Sequence, residues 1–508
     1  MKLRSNGRRV SRSTSIPSPI GGLNARDSYA EMDAKDAVVM ENWFPLPMSI
    51  QLRHGYSIQS SGLGASVSTV MAYNSGSAQK LFGVAGIHFY DCTTPGAVGA
   101  AVTTCTDPHW QHVNFATAGG YFLSCVNGVD APKLYDGATW TNPSITGVTA
   151  TDLISVMSHM HRLWYIQKNT MKVWYLPVSS ISGAATSIDF SGLFKRGGYL
   201  MAMGSWTIDA GSGMDDHAVF ISSEGEIAVY KGSDPASVTT WGLVGVYQVG
   251  SPIGRRCVSQ YASDLLIISQ DGLLPMSKAL MSSRVNNKAS LTDKIQHLMS
   301  QDVSSYGVNF GWETTLYSQA NMLLMNVPAG NGANYQYAMN TISGAWTKFT
   351  GWNAQCWEMY QDGIYFGDGA GNICKAWDTF ADNGNNITSK VIQAFNYFGS
   401  QNIKHFKMCR PIFNSNTSSI GVVSGLNLDF NFNEPTSTPT FSTSSVGVWG
   451  VSKWSSGAVW GSDNTVRNSW QTSGGVGYCA GMHLSTASKI TDIQWQSTTF
   501  IYEHGSGF

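Results

Sequence analysis

The stretch HAVFISSEGEIAVYKG, residues 217–232, decides the fold. Two apolar runs flank the turn SSEG, which predicts a β-hairpin. The same grammar recurs six more times. It appears in KLFGVAGIHFYD (80–91), YFLSCVNGVDAPKLYDGATWT (121–141) and RLWYIQKNTMKVWYLPV (162–178). It returns in DLLIISQDGLLPMS (264–277), NMLLMNVPAGNGANYQYAMNTISGAWT (321–347) and GIYFGDGAGNICKAWD (363–378). The seven hairpins start at 80, 121, 162, 217, 264, 321 and 363, so the steps are 41, 41, 55, 47, 57 and 42 residues. A further β-like run precedes each one: VSTVMAYN, HVNFATA, DLISVMSH, YLMAMGS, RRCVSQYA, TTLYSQA and CWEMYQD. Four of the units close with a Trp: Trp140, Trp241, Trp346 and Trp377. This period is that of a four-stranded propeller blade, so the fold class is all-β, a β-propeller of about seven blades.

Composition agrees. Charged residues are 12% of the 508, about half the usual quarter. Aromatics are also 12%, with 17 Trp and 54 Gly, as tight turns and packed sheets require. The net charge of −1 excludes a chain that grips nucleic acid along its whole length. The eight cysteines form no C-x-x-C pair, which predicts free thiols and no zinc ribbon. No secretory signal and no membrane-spanning run is read in the sequence.

The expected division is fourfold. Residues 1–20, with Arg8, Arg9 and Arg12, read as a basic arm. Residues 21–65 read as an N-terminal β segment, and 66–390 as the propeller. Within the propeller, 291–305 reads as a helical insertion capped by Ser290 or Thr292, with Leu291, Ile295, Leu298, Met299 and Val303 on one side. Residues 391–508 read as a C-terminal β domain of sandwich type, where Trp449, Trp454 and Trp460 offer either core packing or an interface patch.

Candidate chemistry is thin. Glu224 and Glu226 read as the solvated tip of the hairpin, because paired-carboxylate hydrolysis draws its acids from different elements. Asp215 and Asp216 read as loop residues before it. His159 and His161 stand at i, i+2, where one strand face would present both to a metal, but no third ligand follows. YDGATW (135–140) approaches a sialidase Asp box and fails its spacing. No nucleophile with an evident base is found. The expectation is therefore no enzyme, no cofactor and no metal.

Two segments resemble a known family. GGLNARDSYAEMDAKDAVVMENWFPLPMSIQLRHGY (21–56) is similar to the opening of tail nozzle or tube proteins, the DNA-stabilisation type, of short-tailed bacteriophages. The resemblance rests on Gly21, Gly22, Asn24, Asp36, Asn42, Trp43, Pro45, Arg53 and Gly55. HAVFISSEGEIAVYKGSDPASVTTWGLVGVYQVGSPIGRRC (217–257) resembles a blade pair of the same proteins. The resemblance implies a structural virion protein in a hexameric ring below the head-to-tail adaptor. It also implies tail fibres or spikes attached outside, and double-stranded DNA passing transiently through the ring's channel, which helps retain the packaged genome. Location is then the virion tail, after assembly in the host cytoplasm. Interface candidates are Arg8, Arg9 and Arg12 on the arm and Trp454 and Trp460 on the patch. The alternative is a carbohydrate-binding or glycan-processing propeller, which needs a central pocket with carboxylates from several blades.

Overall fold

A computed structural model describes residues 11–209, 214–280, 290–416, 420–438 and 465–505. The chain builds two compact units. One comprises Ser57–Gln336 and Gly351–Ala376; the other comprises Met1–Tyr56, Tyr337–Thr350 and Trp377–Phe508.

The first unit is the propeller. Four blades have four strands each. Blade one is Val67–Asn74, Gln79–Ala85, His88–Asp91 and Thr103–Thr104. Blade two is Gln111–Thr117, Gly120–Val126, Lys133–Tyr135 and Trp140–Thr141. Blade three is Leu153–His159, Arg162–Gln167, Lys172–Tyr175 and Thr186–Asp189. Blade four is Leu200–Asp209, Met214–Ser222, Glu226–Gly232 and Trp241–Gln248. Blade five has Val258–Tyr261, Asp264–Ser269 and Gly272–Pro275, followed by the short helix Met276–Leu280. Blade six places Glu313–Tyr317 and Met322–Val327 in this unit. Blade seven is Ala354–Tyr360, Gly363–Asp368 and Ile373–Ala376, with Tyr56–Ser61 as its outer strand.

That last pairing closes the ring. A strand from the start of the unit completes the final blade, so backbone hydrogen bonds join the two ends of the ring within blade seven. Every hairpin start read from the sequence falls at the second strand of a blade, and every preceding run is the innermost strand. A register shift near the start of the innermost strand recurs in blades one, three, four and seven, at Val67/Thr69, Leu153/Ser155, Leu200/Ala202 and Ala354/Cys356. Such bulges add the local twist that lets blades fan around an axis.

The core lies between successive blades. Blades three and four share Trp164, Ile166, Phe190, Phe220 and Ala228. Blades seven and one share Cys356, Tyr360 and Ile373 against Val67, Val70 and Leu81. Each fully buried aliphatic or aromatic side chain contributes about 1.5–3 kcal/mol, so the ring is held mostly by these seams. All eight cysteines are free thiols, seven of them buried. Burial pushes the Cys92, Cys257 and Cys356 thiols up to about 12. The insertion after blade five is a 3-10 turn, Asp293–Ile295, leading into the helix Gln296–Tyr306. Ile295 and Met299 are buried as expected, but neither Ser290 nor Thr292 caps the helix. The Thr292 hydroxyl instead accepts the Leu273 N–H at 3.2 Å and donates to Gln296 Oε1 at 3.1 Å, tying the insertion to blade five.

The second unit carries two sheets. One orders Thr465–Asn468, Lys404–Ser415, Ile493–His504, Ile50–Leu52 and Trp43–Pro45, with Ser11–Pro17 also on Ile493–His504 and Gln471–Gly477 on Lys404–Ser415. The other orders Trp346–Phe349, Asp36–Glu41, Ile387–Gln393, Ala480–Ser488 and Val422–Leu428. Strands from 11–52 thus pair directly with strands from 387–504, where the sequence reading had kept 21–65 and 391–508 apart. Strand pairing at long sequence separation leaves no linear mark. The arm is likewise shorter than read: residues 11–17 form a strand against Ile493–His504, and Arg12 lies exposed on it.

The residues behind the resemblance are the braces of this unit. Gly22 has φ +79°, and a Cβ there would meet the Trp346 carbonyl at 2.5 Å, so only glycine fits. Asn24 Nδ2 donates to Asp36 Oδ2 at 2.7 Å. Asn42 Nδ2 donates to the Thr388 carbonyl at 2.7 Å, and its Oδ1 accepts the Thr350 N–H and Arg53 Nε, each at 2.8 Å. Arg53 is 1% exposed. Its other donors reach the His54 carbonyl (2.9 Å), the Thr350 carbonyl (2.6 Å) and both oxygens of Asp382 (2.8 and 2.6 Å).

Candidate functional site

The innermost strands of the blades surround the propeller axis. Here they line one open cavity of about 440 Å³ to which all seven blades contribute. Val70, His112, Ser155, Met203, Gln260, Thr315 and Glu358 stand for blades one to seven in order.

Arg256, just before the inner strand of blade five, organises the floor. Its Nη2 donates to Thr69 Oγ1 and to the Trp110 carbonyl, each at 2.9 Å. Its Nη1 donates to Glu313 Oε2 at 3.2 Å, and the guanidinium lies 4.8 Å from the Phe310 ring centroid. One side chain therefore joins blades five and six to blades one and two across the axis. Glu313 Oε1 accepts the Trp357 N–H at 2.6 Å, extending the network to blade seven. Burial pushes the Glu313 carboxyl above the usual range, although Arg256 and the Trp357 N–H pull the other way. Nearer solvent, His112 Nε2 lies 3.1 Å from Glu358 Oε2, with both side chains 20% exposed. Arg255 lines the same cavity, and its Nη1 donates to the Asn127 carbonyl at 3.2 Å.

The arrangement gathers two carboxylates, two guanidiniums, an imidazole and several hydroxyls and amides in a space of ligand size. Sequence reasoning missed it. The available signal was charge itself: in a chain this poor in charge, ETTLY (313–317) and CWEMY (356–360) each place a Glu on an innermost strand, and RR (255–256) precedes another.

The residues singled out from sequence fare differently. Arg8, Arg9, Trp454 and Trp460 lie outside the described residues, as does Trp449. Glu224 is exposed at the hairpin tip, as read. Glu226 is not: it is 6% exposed, and its carboxylate accepts the N–H groups of Lys195 (3.0 Å) and Arg196 (2.8 Å). The turn tucks inward because Gly225, at φ +78°, lies against the Val249 carbonyl. Glu226→Ala is expected to cost about 2 kcal/mol by orphaning two N–H groups, and Glu224→Gln close to nothing. Urea unfolding of the two variants checks this. Asp216 lies within the strand Met214–Ser222 rather than a loop, its Oδ1 accepting from Thr207 Oγ1 at 2.7 Å.

His159 and His161 do not share a strand face. The strand ends at His159, and Met160 and His161 turn the chain at φ +48° and +55°. His161 is exposed, while His159 is 2% exposed with Nδ1 2.9 Å from Ser205 Oγ. Among the described residues no three ligand-type side chains gather for a metal ion. Burial holds the His159 imidazole down at about 4, with Asp216 pulling up and His217 down. The unfolded chain, near 6.5, takes up this proton first as pH falls. The stabilisation is whole above pH 6.5 and is lost as pH drops toward 4, roughly 3 kcal/mol in all and about 2 kcal/mol by pH 5. Urea melts at pH 7 and pH 5 should show this slope, reduced by that amount in His159→Gln.

No protein-family model matches the sequence, and no curated protein matches it. Solved structures that match include the exo-β-1,3-galactanase of Phanerochaete chrysosporium with galactose. It is 8% identical over 77% of this chain and 95% of that one, at a TM-score of 0.27. The β-propeller domain of Myceliophteria thermophila Cps50 (Swd1) is 11% identical over 63% and 98%, at 0.40. The AfRom2 CNH domain is 11% identical over 57% and 88%, at 0.31. Likenesses this distant carry no argument about activity. What the strand pairing establishes is an all-β chain with a seven-bladed propeller and a second β unit.

Proposed function

We propose that the chain is a structural subunit of a short-tailed bacteriophage tail, part of a nozzle or tube ring below the head-to-tail adaptor. The observation that carries this reading is the bracing of the second unit. Gly22, Asn24, Asp36, Asn42 and Arg53, which carry the sequence resemblance, are all committed to holding that unit's strands together. In this chain those residues hold N-terminal strands against C-terminal ones, with the propeller inserted between them in sequence. In this reading DNA passes among subunits. The axis of the propeller itself is crossed by Arg256, which bonds to residues of blades one, two and six. The hexamer is carried over from the resemblance. Native mass spectrometry of the chain, alone and mixed with its adaptor, tests the reading: a ring-sized species supports it, and a monomer under both conditions sinks it.

A second reading, a glycan-processing propeller, is favoured by one observation. Carboxylates from two blades, Glu313 and Glu358, line the axial cavity, and their environments differ. Turnover of chromogenic glycosides, abolished by Glu358→Gln, would support it over the first.

A further inference from the structure

We propose that the axial cavity binds a hexose-sized sugar acid, its carboxylate paired with Arg255 and its hydroxyls held by Glu358, Gln111 and Gln260. Its volume of about 440 Å³ falls within the roughly 300–1,000 Å³ typical of small-ligand sites.

The charges in the cavity are unequally committed. Arg256 spends its guanidinium on Glu313, Thr69 and Trp110. Glu313 spends both oxygens on Arg256 and the Trp357 N–H. Arg255, by contrast, makes a single hydrogen bond, from Nη1 to the Asn127 carbonyl. Among the described residues lining the cavity it is the cation with the most open donors. A planar guanidinium fork matches a carboxylate.

A second, independent observation lies on blade two. Gln111 Nε2 is buried and has no protein partner. An unpaired buried donor is destabilising, and a ligand oxygen would relieve it. Glu358 shares one oxygen with His112 and is 20% exposed, so it retains acceptor capacity. Gln260 is exposed on the same lining. Acceptors and donors placed side by side suit vicinal hydroxyls, each of which donates and accepts. Val156 and Met203 offer an apolar wall for ring carbons. A phosphate fits worse, because Glu358 repels a dianion more strongly than a singly charged carboxylate.

The proposal goes beyond the tail-subunit reading and rests on neither ring formation nor turnover, so its failure is separable from theirs. The test is isothermal titration calorimetry of the full chain with sodium glucuronate and galacturonate, with glucose, galactose and glycine as comparisons. At least one uronate is expected to bind in about the millimolar range. The matching neutral hexose and glycine should bind at least about tenfold more weakly, for want of the charge-assisted pair. Arg255→Ala should lose about tenfold in affinity with an unchanged melting temperature, and Arg255→Lys should recover part of it. Should Arg255→Ala not fold, Gln260→Ala serves instead, with an expected loss of about fivefold. Silence with both uronates, equal binding of neutral hexose or glycine, or full affinity in the folded variants would overturn the assignment.

Discussion

Replacing Arg53 with alanine is expected to cost the second unit about 3–5 kcal/mol. Five N–H groups of one buried guanidinium serve five acceptors: Asn42 Oδ1, two backbone carbonyls and both oxygens of Asp382. Removal leaves the Asp382 carboxylate without its cation and strips Asn42 of a donor. Asn42 also bridges the Thr350 N–H and the Thr388 carbonyl, so three stretches loosen together. Arg53→Lys keeps the charge and loses the fork, for an expected cost of about 1–3 kcal/mol. Hydrogen exchange separates this from a global effect. Amides of Trp346–Phe349 and Ile387–Gln393 should lose protection first, while those of blades one to four keep theirs. A loss under about 1 kcal/mol in Arg53→Ala would show that the network is dispensable.

Glu313→Ala is the second large effect, again about 3–5 kcal/mol, and it falls on the propeller. The carboxylate is the counter-charge for Arg256 and the acceptor for the Trp357 N–H, and the Arg256 side chain is only 12% exposed. Its loss leaves a cation and a backbone donor uncompensated inside the seam between blades. Removing both charges should be milder. The double variant Glu313→Ala/Arg256→Met is expected to be less destabilised than the two single losses summed, by a coupling of about 0.5–3 kcal/mol. Strict additivity in guanidinium unfolding would mean that the ion pair does not couple the blades.

The propeller was legible because its information is local. Alternating apolar runs, turn residues and a 41–57 residue step each follow from one blade's own chemistry, and the stretch 217–232 was read correctly as two strands of one sheet. The same stretch shows the limit. Glu224 and Glu226 are two residues apart on one turn, yet one is exposed and the other is locked to the Lys195 and Arg196 amides. Only the fold of 195–198 beside the turn distinguishes them. His159 and His161 differ for a related reason: the strand ends between them.

The candidate site left only its scattered charges in the sequence. Its members lie at 111–112, 255–260, 313–315 and 357–358, and no spacing rule links residues that only ring closure brings to one axis. The sequence by itself determined the blade and a count of about seven, since periodicity and turn chemistry act within about fifty residues. Tertiary structure alone decided the rest. It paired strand Tyr56–Ser61 with Ile373–Ala376, wove residues 11–52 into the C-terminal sheets, and set Arg256 against Glu313 at the axis. Each of these is a contact at long sequence separation, specified by burial and hydrogen-bond completion across the whole chain rather than by any neighbouring residue.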